Sequence, residues 1–166
     1  MTILDKARGD QNQLERLANS IPGFKGYRER ELRRDADRLE REHLASRLEE
    51  CKKPLNELAT GLTRSGGLEL MNDVETARKR LDKAIARIRY ADRGYAGFFD
   101  VVKVDEAMLA RVYEFDLSLL GGVEGVRASA LAAEPTAAAL KELIGTIDTL
   151  DGRLAEREEI LGGIRP

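Results

Sequence analysis

Apolar residues recur at alternating steps of four and three along most of this chain. That spacing keeps side chains on one side of an α-helix, which turns by about 100° per residue. The longest such stretch runs from Tyr27 to Leu62. Leu32, Ala36, Leu39 and His43 form one register; Leu44, Leu48, Cys51, Leu55, Leu58 and Leu62 form a second, displaced by one residue. So wide an apolar face suits a helix packed between two neighbours. Pro54 lacks an N–H and crowds the preceding turn, yet the stripe keeps phase across it, which predicts a kink near Lys52–Lys53 rather than a break. The opposite side carries Arg28, Glu29, Arg30, Glu31, Arg33, Arg34, Asp35, Asp37, Arg38, Glu40 and Arg41. With its signs mixed and acid-first pairs such as Glu29/Arg33 and Asp37/Arg41 four apart, it reads as a solvated face.

The same spacing places the other helices. Residues 3–20 hold Leu4, Gln11, Leu14 and Ala18 before the breaker Pro22-Gly23. Residues 72–94 carry Val74, Ala77, Leu81, Ile85, Ile88 and Ala91, with Asn72 or Asp73 as cap. Residues 105–130 start at an N-capping Asp105 and continue through Met108, Val112, Phe115 and Leu119. Gly121, Gly122 and Gly125 leave the far end of that helix open, since an interior glycine costs up to about 1 kcal/mol relative to alanine. Residues 135–161 carry Leu140, Leu143, Ile147, Leu150, Leu154 and Leu161, closed by Gly162-Gly163. Short connections make successive helices antiparallel. The expectation is an all-α antiparallel helical bundle, coiled-coil-like, with four main helices (27–62, 72–94, 105–130, 135–161) and a short N-terminal one. It forms one domain over 1–166.

Composition sharpens this picture. With 35% charged residues, 5% aromatic and no Trp in 166 residues, the chain has the make-up of bundles and coiled coils. A net charge of −2 gives no global case for nucleic acid or membrane. Residues 1–100 hold 21 Lys+Arg against 18 Asp+Glu, and residues 101–166 hold 7 against 12, which suggests a basic half packed beside an acidic one. A single cysteine, Cys51, excludes an internal disulfide. Residues 1–13 lack the apolar core of a signal peptide, and no apolar run approaches the roughly 20 residues of a membrane span. The cytoplasm is the expected compartment.

Candidate chemistry is sparse. Glu40-x-x-His43 has the spacing that sets two ligands on one helical face in di-iron bundles, but His43 is the sole histidine. The glycines at 121–125 are not followed by the Lys-Ser/Thr of a phosphate loop. Cys51 and His43 lie roughly 12 Å apart along one helix, too far for a nucleophile and its base. The sequence therefore assigns no catalytic residue and no cofactor.

Two surfaces remain. Phe24, Tyr27, Arg28, Tyr95, Phe98 and Phe99 gather aromatics beside glycines at one end, either as a cap on the core or as a docking patch for a protein partner. Arg78, Lys79, Arg80, Lys83, Arg87 and Tyr90 form a basic face. It either binds an anionic surface, nucleic acid or acidic lipid, or lies against the acidic last helix with Asp148, Asp151, Glu156, Glu158 and Glu159. The expected function is a non-enzymatic protein-interaction or scaffolding module that self-associates. An anion binder and a helical-bundle metal protein are the alternatives.

Overall fold

The computed structural model describes residues 3–91 and 105–163. Among the described residues there are six α-helices: α1 (Ile3–Ser20), α2 (Arg33–Glu49), α3 (Lys52–Ser65), α4 (Met71–Arg89), α5 (Glu106–Ala132) and α6 (Ala137–Gly163). Two 3-10 turns, Arg30–Leu32 and Leu68–Leu70, precede α2 and α4. No strand occurs among the described residues, so the chain is an all-α bundle as expected. No described helix is long and apolar enough to cross a membrane.

The stretch from Tyr27 to Leu62 is not one helix. It begins at Arg33 because the backbone of Tyr27 is committed elsewhere: its N–H donates to Tyr113 Oη (2.9 Å), and its carbonyl accepts from Arg33 Nε (2.8 Å). Gly26 makes that approach possible. Its φ is +88°, and a Cβ there would sit 2.5 Å from Tyr113 Oη.

A second interruption falls at Glu50 and Cys51, both still in right-handed helical geometry (φ/ψ −60°/−22° and −73°/−17°). The Cys51 N–H bonds back three residues to the Leu48 carbonyl (2.9 Å), a tightened turn. Pro54 then lies in the first turn of α3, where a missing N–H costs nothing. Proline thus starts a new helix rather than bending an old one. The stripe survives the junction: Leu44, Leu48, Cys51, Leu55 and Leu62 are buried and Leu58 is half-buried.

The remaining helices follow the sequence closely. Asp105 Oδ1 accepts the Met108 N–H (2.7 Å) and opens α5. That helix runs unbroken through Gly121, Gly122 and Gly125. A Cβ on Gly122 would touch Leu150 (3.4 Å), whereas Gly121 and Gly125 face open space. Thr136 Oγ1 accepts from the Ala139 N–H (3.2 Å) and caps α6 one residue after Pro135. The α4 helix closes at Tyr90, and its expected extension to 94 passes outside the described residues.

α2 packs on α4 and α5, α6 on the same two helices, α3 on α4 and α5, and α1 on α5. Cross-helix pairs give the directions. Arg41 reaches the carbonyls at the end of α4 while Lys52 meets Asp82, so α2 and α3 run against α4. Arg47 pairs with Glu124 and Arg127 with Glu50, so α2 and α5 run together. Asp116 meets Arg157 and Gly122 lies by Leu150, so α5 and α6 are opposed. Successive long helices alternate in direction, as expected, and α2 lies diagonally across the bundle from α6.

Candidate functional site

Three helices carry an apolar stripe that turns polar at one level of the bundle. In α5 the buried series is Leu109, Val112, Asp116, Leu119, Val123, Val126 and Ala130. In α6 it is Leu140, Leu143, Ile147, Leu150, Leu154, Arg157 and Leu161. Each steps by three and four, with one charged residue in phase. In α2, the positions that continue Leu55, Cys51, Leu48 and Leu44 towards the N-terminus are Arg41, Glu40, Asp37 and Arg33, and all four are buried. The solvated face expected for these residues is therefore incorrect. They lie inward because the Leu44 register runs the length of the helix; of the Leu32 register Ala36 alone is buried, while Leu32 is 40% exposed and Leu39 and His43 are half-buried.

Arg157, 3% exposed, is the hub. Its Nε donates to Asp116 Oδ1 (3.0 Å), and its Nη2 reaches across the diagonal to Asp37 Oδ1 (2.8 Å) and Glu40 Oε2 (2.9 Å). Tyr27 enters from the preceding segment, its hydroxyl oxygen 2.7 Å from both Glu40 Oε2 and Asp116 Oδ2. Arg41 closes the outer edge, with Nε on Asp37 Oδ2 (2.7 Å) and Nη1 on the Arg89 carbonyl (2.7 Å). The ring of Tyr27 stacks on Tyr113 (centroids 5.7 Å, 14°) and takes the edge of Phe24 (5.4 Å, 84°).

These groups perturb one another strongly. Burial, then the charge of Asp116, drives the Glu40 carboxyl well above the usual carboxylate range against the pull of Arg157. Burial and the neighbouring acids raise the Tyr27 phenol in the same sense. Burial works against the charge of Arg157, but the neighbouring acids, Asp116 foremost, outweigh it and hold the guanidinium protonated. Such perturbation is a common mark of an active site. Here, however, Tyr27, Glu40 and Asp116 are each 0% exposed, so a substrate has no path to them in this conformation.

A guanidinium, not a vacancy, lies between the three carboxyl groups. Among the described residues no set of three His, Cys, Asp or Glu is arranged to hold a metal ion. Glu40, half of the candidate metal pair, is committed to Tyr27 and Arg157. His43 is half-buried, and burial together with the Arg47 charge pushes its imidazole below the usual value.

The basic face of α4 packs against the acidic side of α6. Arg80 pairs with Asp148, and Lys83 with Asp151 (3.7 Å). Arg87 contacts Asp151 (3.0 Å) and binds Glu158 through two parallel bonds (2.9 and 3.0 Å). Arg78 pairs with Glu75 on its own helix (2.9 Å), Lys79 is exposed, and Tyr90 stands 63% exposed at the helix end. Of the aromatic candidates, Phe24 and Tyr27 are buried in a cluster with Leu17, Ile21 and Tyr113, so they cap the core instead of facing a partner. Arg28 is exposed and forked onto Glu106. Tyr95, Phe98 and Phe99 lie outside the described residues.

Against models of known protein families, curated proteins and solved structures, the chain matches none. What can meet a partner must then be read from the surface itself. The outer side of α5 and α6 holds a groove between Arg111, Glu114, Phe115 and Ser118 on one helix and Thr149, Gly152, Arg153, Glu156 and Ile160 on the other. Phe115 and Ile160 are half-buried along it. Unlike the cations of the α4–α6 seam, Arg111, Arg153, Glu114 and Glu156 make no ion pair among the described residues. No sequence reading singled out this groove, Asp116 or Arg157. For the last two the signal was there, as charged residues keeping step with a leucine stripe.

Proposed function

We propose that this chain is a non-enzymatic interaction module that pairs with a second copy of itself through the outer face of α5 and α6. One observation carries the reading. Two cations and two anions that make no ion pair among the described residues frame a groove floored by half-buried Phe115 and Ile160. A two-fold interface sets each patch against its own copy, and a patch balanced in sign complements itself. A nucleic acid or acidic lipid calls for an excess of cations, which this groove lacks, and Arg80, Lys83 and Arg87 of α4 are paired with acids of α6.

Glycines support the same face. Gly121, Gly125, Gly145 and Gly152 lie inside helices with open space where a Cβ would go. Each costs up to about 1 kcal/mol against alanine, and, its chain neighbours and own helical backbone aside, no described atom lies within 4 Å of where its Cβ would be. A neighbouring backbone can approach closely there. Two helices roughly 40 Å long, set about 10 Å apart, present on the order of 800 Å² per copy, the size of a standard interface.

The test is sedimentation of the purified chain over a wide concentration range. Wild type and a control, Thr60→Arg on the outer side of α3, are expected to dimerise. A Gly121→Arg/Gly152→Arg double variant is expected to stay monomeric with unchanged helicity. A wild-type chain that remains monomeric up to its solubility limit sinks the reading.

A further inference from the structure

The Tyr27 hydroxyl carries one proton, yet its oxygen lies 2.7 Å from Glu40 Oε2 and 2.7 Å from Asp116 Oδ2. One hydroxyl proton serves one of those contacts. The other is a hydrogen bond only if a carboxyl group supplies the proton.

The surroundings select which acid holds it. Asp116 has a donor on each oxygen, Arg157 Nε on Oδ1 and the Tyr27 hydroxyl on Oδ2. Glu40 has Arg157 Nη2 and Tyr27 on Oε2 and lies within hydrogen-bond reach of the Asp116 carboxyl, a contact that two carboxylates cannot make without a proton, while its buried Oε1 has no hydrogen-bond partner. An anion spreads its charge over both oxygens, so a bare buried oxygen penalises the carboxylate far more than the neutral acid. Two guanidiniums, Arg157 and Arg41, bond the three acids Asp37, Glu40 and Asp116; the third buried cation, Arg33, bonds the Tyr27 carbonyl.

We propose that Glu40 is a protonated acid in the folded protein at neutral pH. Its Oε2–H donates to Tyr27 Oη and the Tyr27 hydroxyl donates to Asp116, so that a single proton latches α2, α5 and the segment 21–32 together. Every element packed around it contributes. Asp37 and Arg41 face the cluster from α2, Tyr27 from the preceding segment, Asp116 and Tyr113 from α5, and Arg157 from α6. α4 presents the carbonyls of Ile88 and Arg89 to Arg41, and Arg33 bonds the backbone end of Tyr27.

In an unfolded chain a glutamate loses its proton near pH 4.3. The folded state keeps it to higher pH, as burial and the Asp116 charge both require. Over that interval the native state binds more protons, so the latch contributes fully below about pH 4 and weakens as pH rises towards the folded value. Ordinary salt-bridged acids behave in the opposite way.

Urea unfolding of wild type and Glu40→Gln at about pH 5.5 and about pH 8 reads this directly, because the difference between the two chains cancels the titration of His43 and Cys51. The expected result is a wild-type midpoint that falls relative to the Gln variant as pH rises, with the variant at least as stable at the higher pH. A variant less stable by the same margin at both pH values overturns the proposal. Infrared spectroscopy of the wild-type chain decides the matter even if the variant fails to fold. At neutral pH a carboxylic-acid carbonyl stretch is expected, and its absence overturns the proposal.

Discussion

The bundle has an end where Tyr27, Asp37, Glu40, Asp116 and Arg157 meet, and a middle where Leu44, Leu48, Cys51, Leu55, Leu81, Leu119 and Leu150 meet. The helical spacing is the same in both. In the middle each side chain has many apolar neighbours, and a lost methyl group is shared among them. At the polar end each group has two or three specific partners, and losing one strands the rest. Equal burial thus hides two kinds of stability, one spread over a surface and one concentrated in a few bonds.

Removing the hub should separate them most. Arg157→Met leaves Asp116 buried without its cation and Asp37 with Arg41 alone, and is expected to lose about 3–5 kcal/mol in urea unfolding. A loss under about 1 kcal/mol would make the polar end equivalent to a greasy one and erase the distinction. Leu48→Ala in the middle should lose roughly 2–4 kcal/mol through transfer and cavity terms, with no dependence on salt or on pH near neutrality. Away from both regions, Asp105→Ala removes the cap of α5 and should cost about 1 kcal/mol. Arg80→Ala, in a half-exposed pair with Asp148, should change stability by less than about 1 kcal/mol, and by less still in high salt.

Cys51 sharpens the contrast without a mutation. Burial pushes its thiol up to about 11, so thiol reagents should label it only when the middle opens. Its labelling rate, set beside hydrogen exchange of the Tyr27 amide, compares the opening of the two regions. Once each rate is divided by that of the unprotected group, a smaller protection factor at the Tyr27 amide than at Cys51 would mean that the polar end opens first.

Helix positions were largely legible because leucine spacing and caps are local: α1 spans the expected 3–20, and Asp105 opens α5 as its side chain predicts. The start of α2 was not, because Tyr27 leaves the helix for a hydroxyl 86 positions away. The charged residues of α2 were misplaced for a related reason. Asp37 and Arg41 at four apart look alike on a wet surface and in a dry core, and what decides is Arg157, on a helix far along the chain. The basic side of α4 could be read either way, and the packed alternative describes most of it.

Arg157 has a consequence beyond stability. Leucines, isoleucines and valines at heptad spacing are nearly interchangeable, so α6 could in principle slide along its neighbours by seven residues and still cover the apolar surface. Such a slip would carry the guanidinium to the level of Leu150, against Leu119 and Val123 and away from every acid that neutralises it. That misalignment is worth several kcal/mol, enough to give a chain of repetitive rods one alignment instead of several.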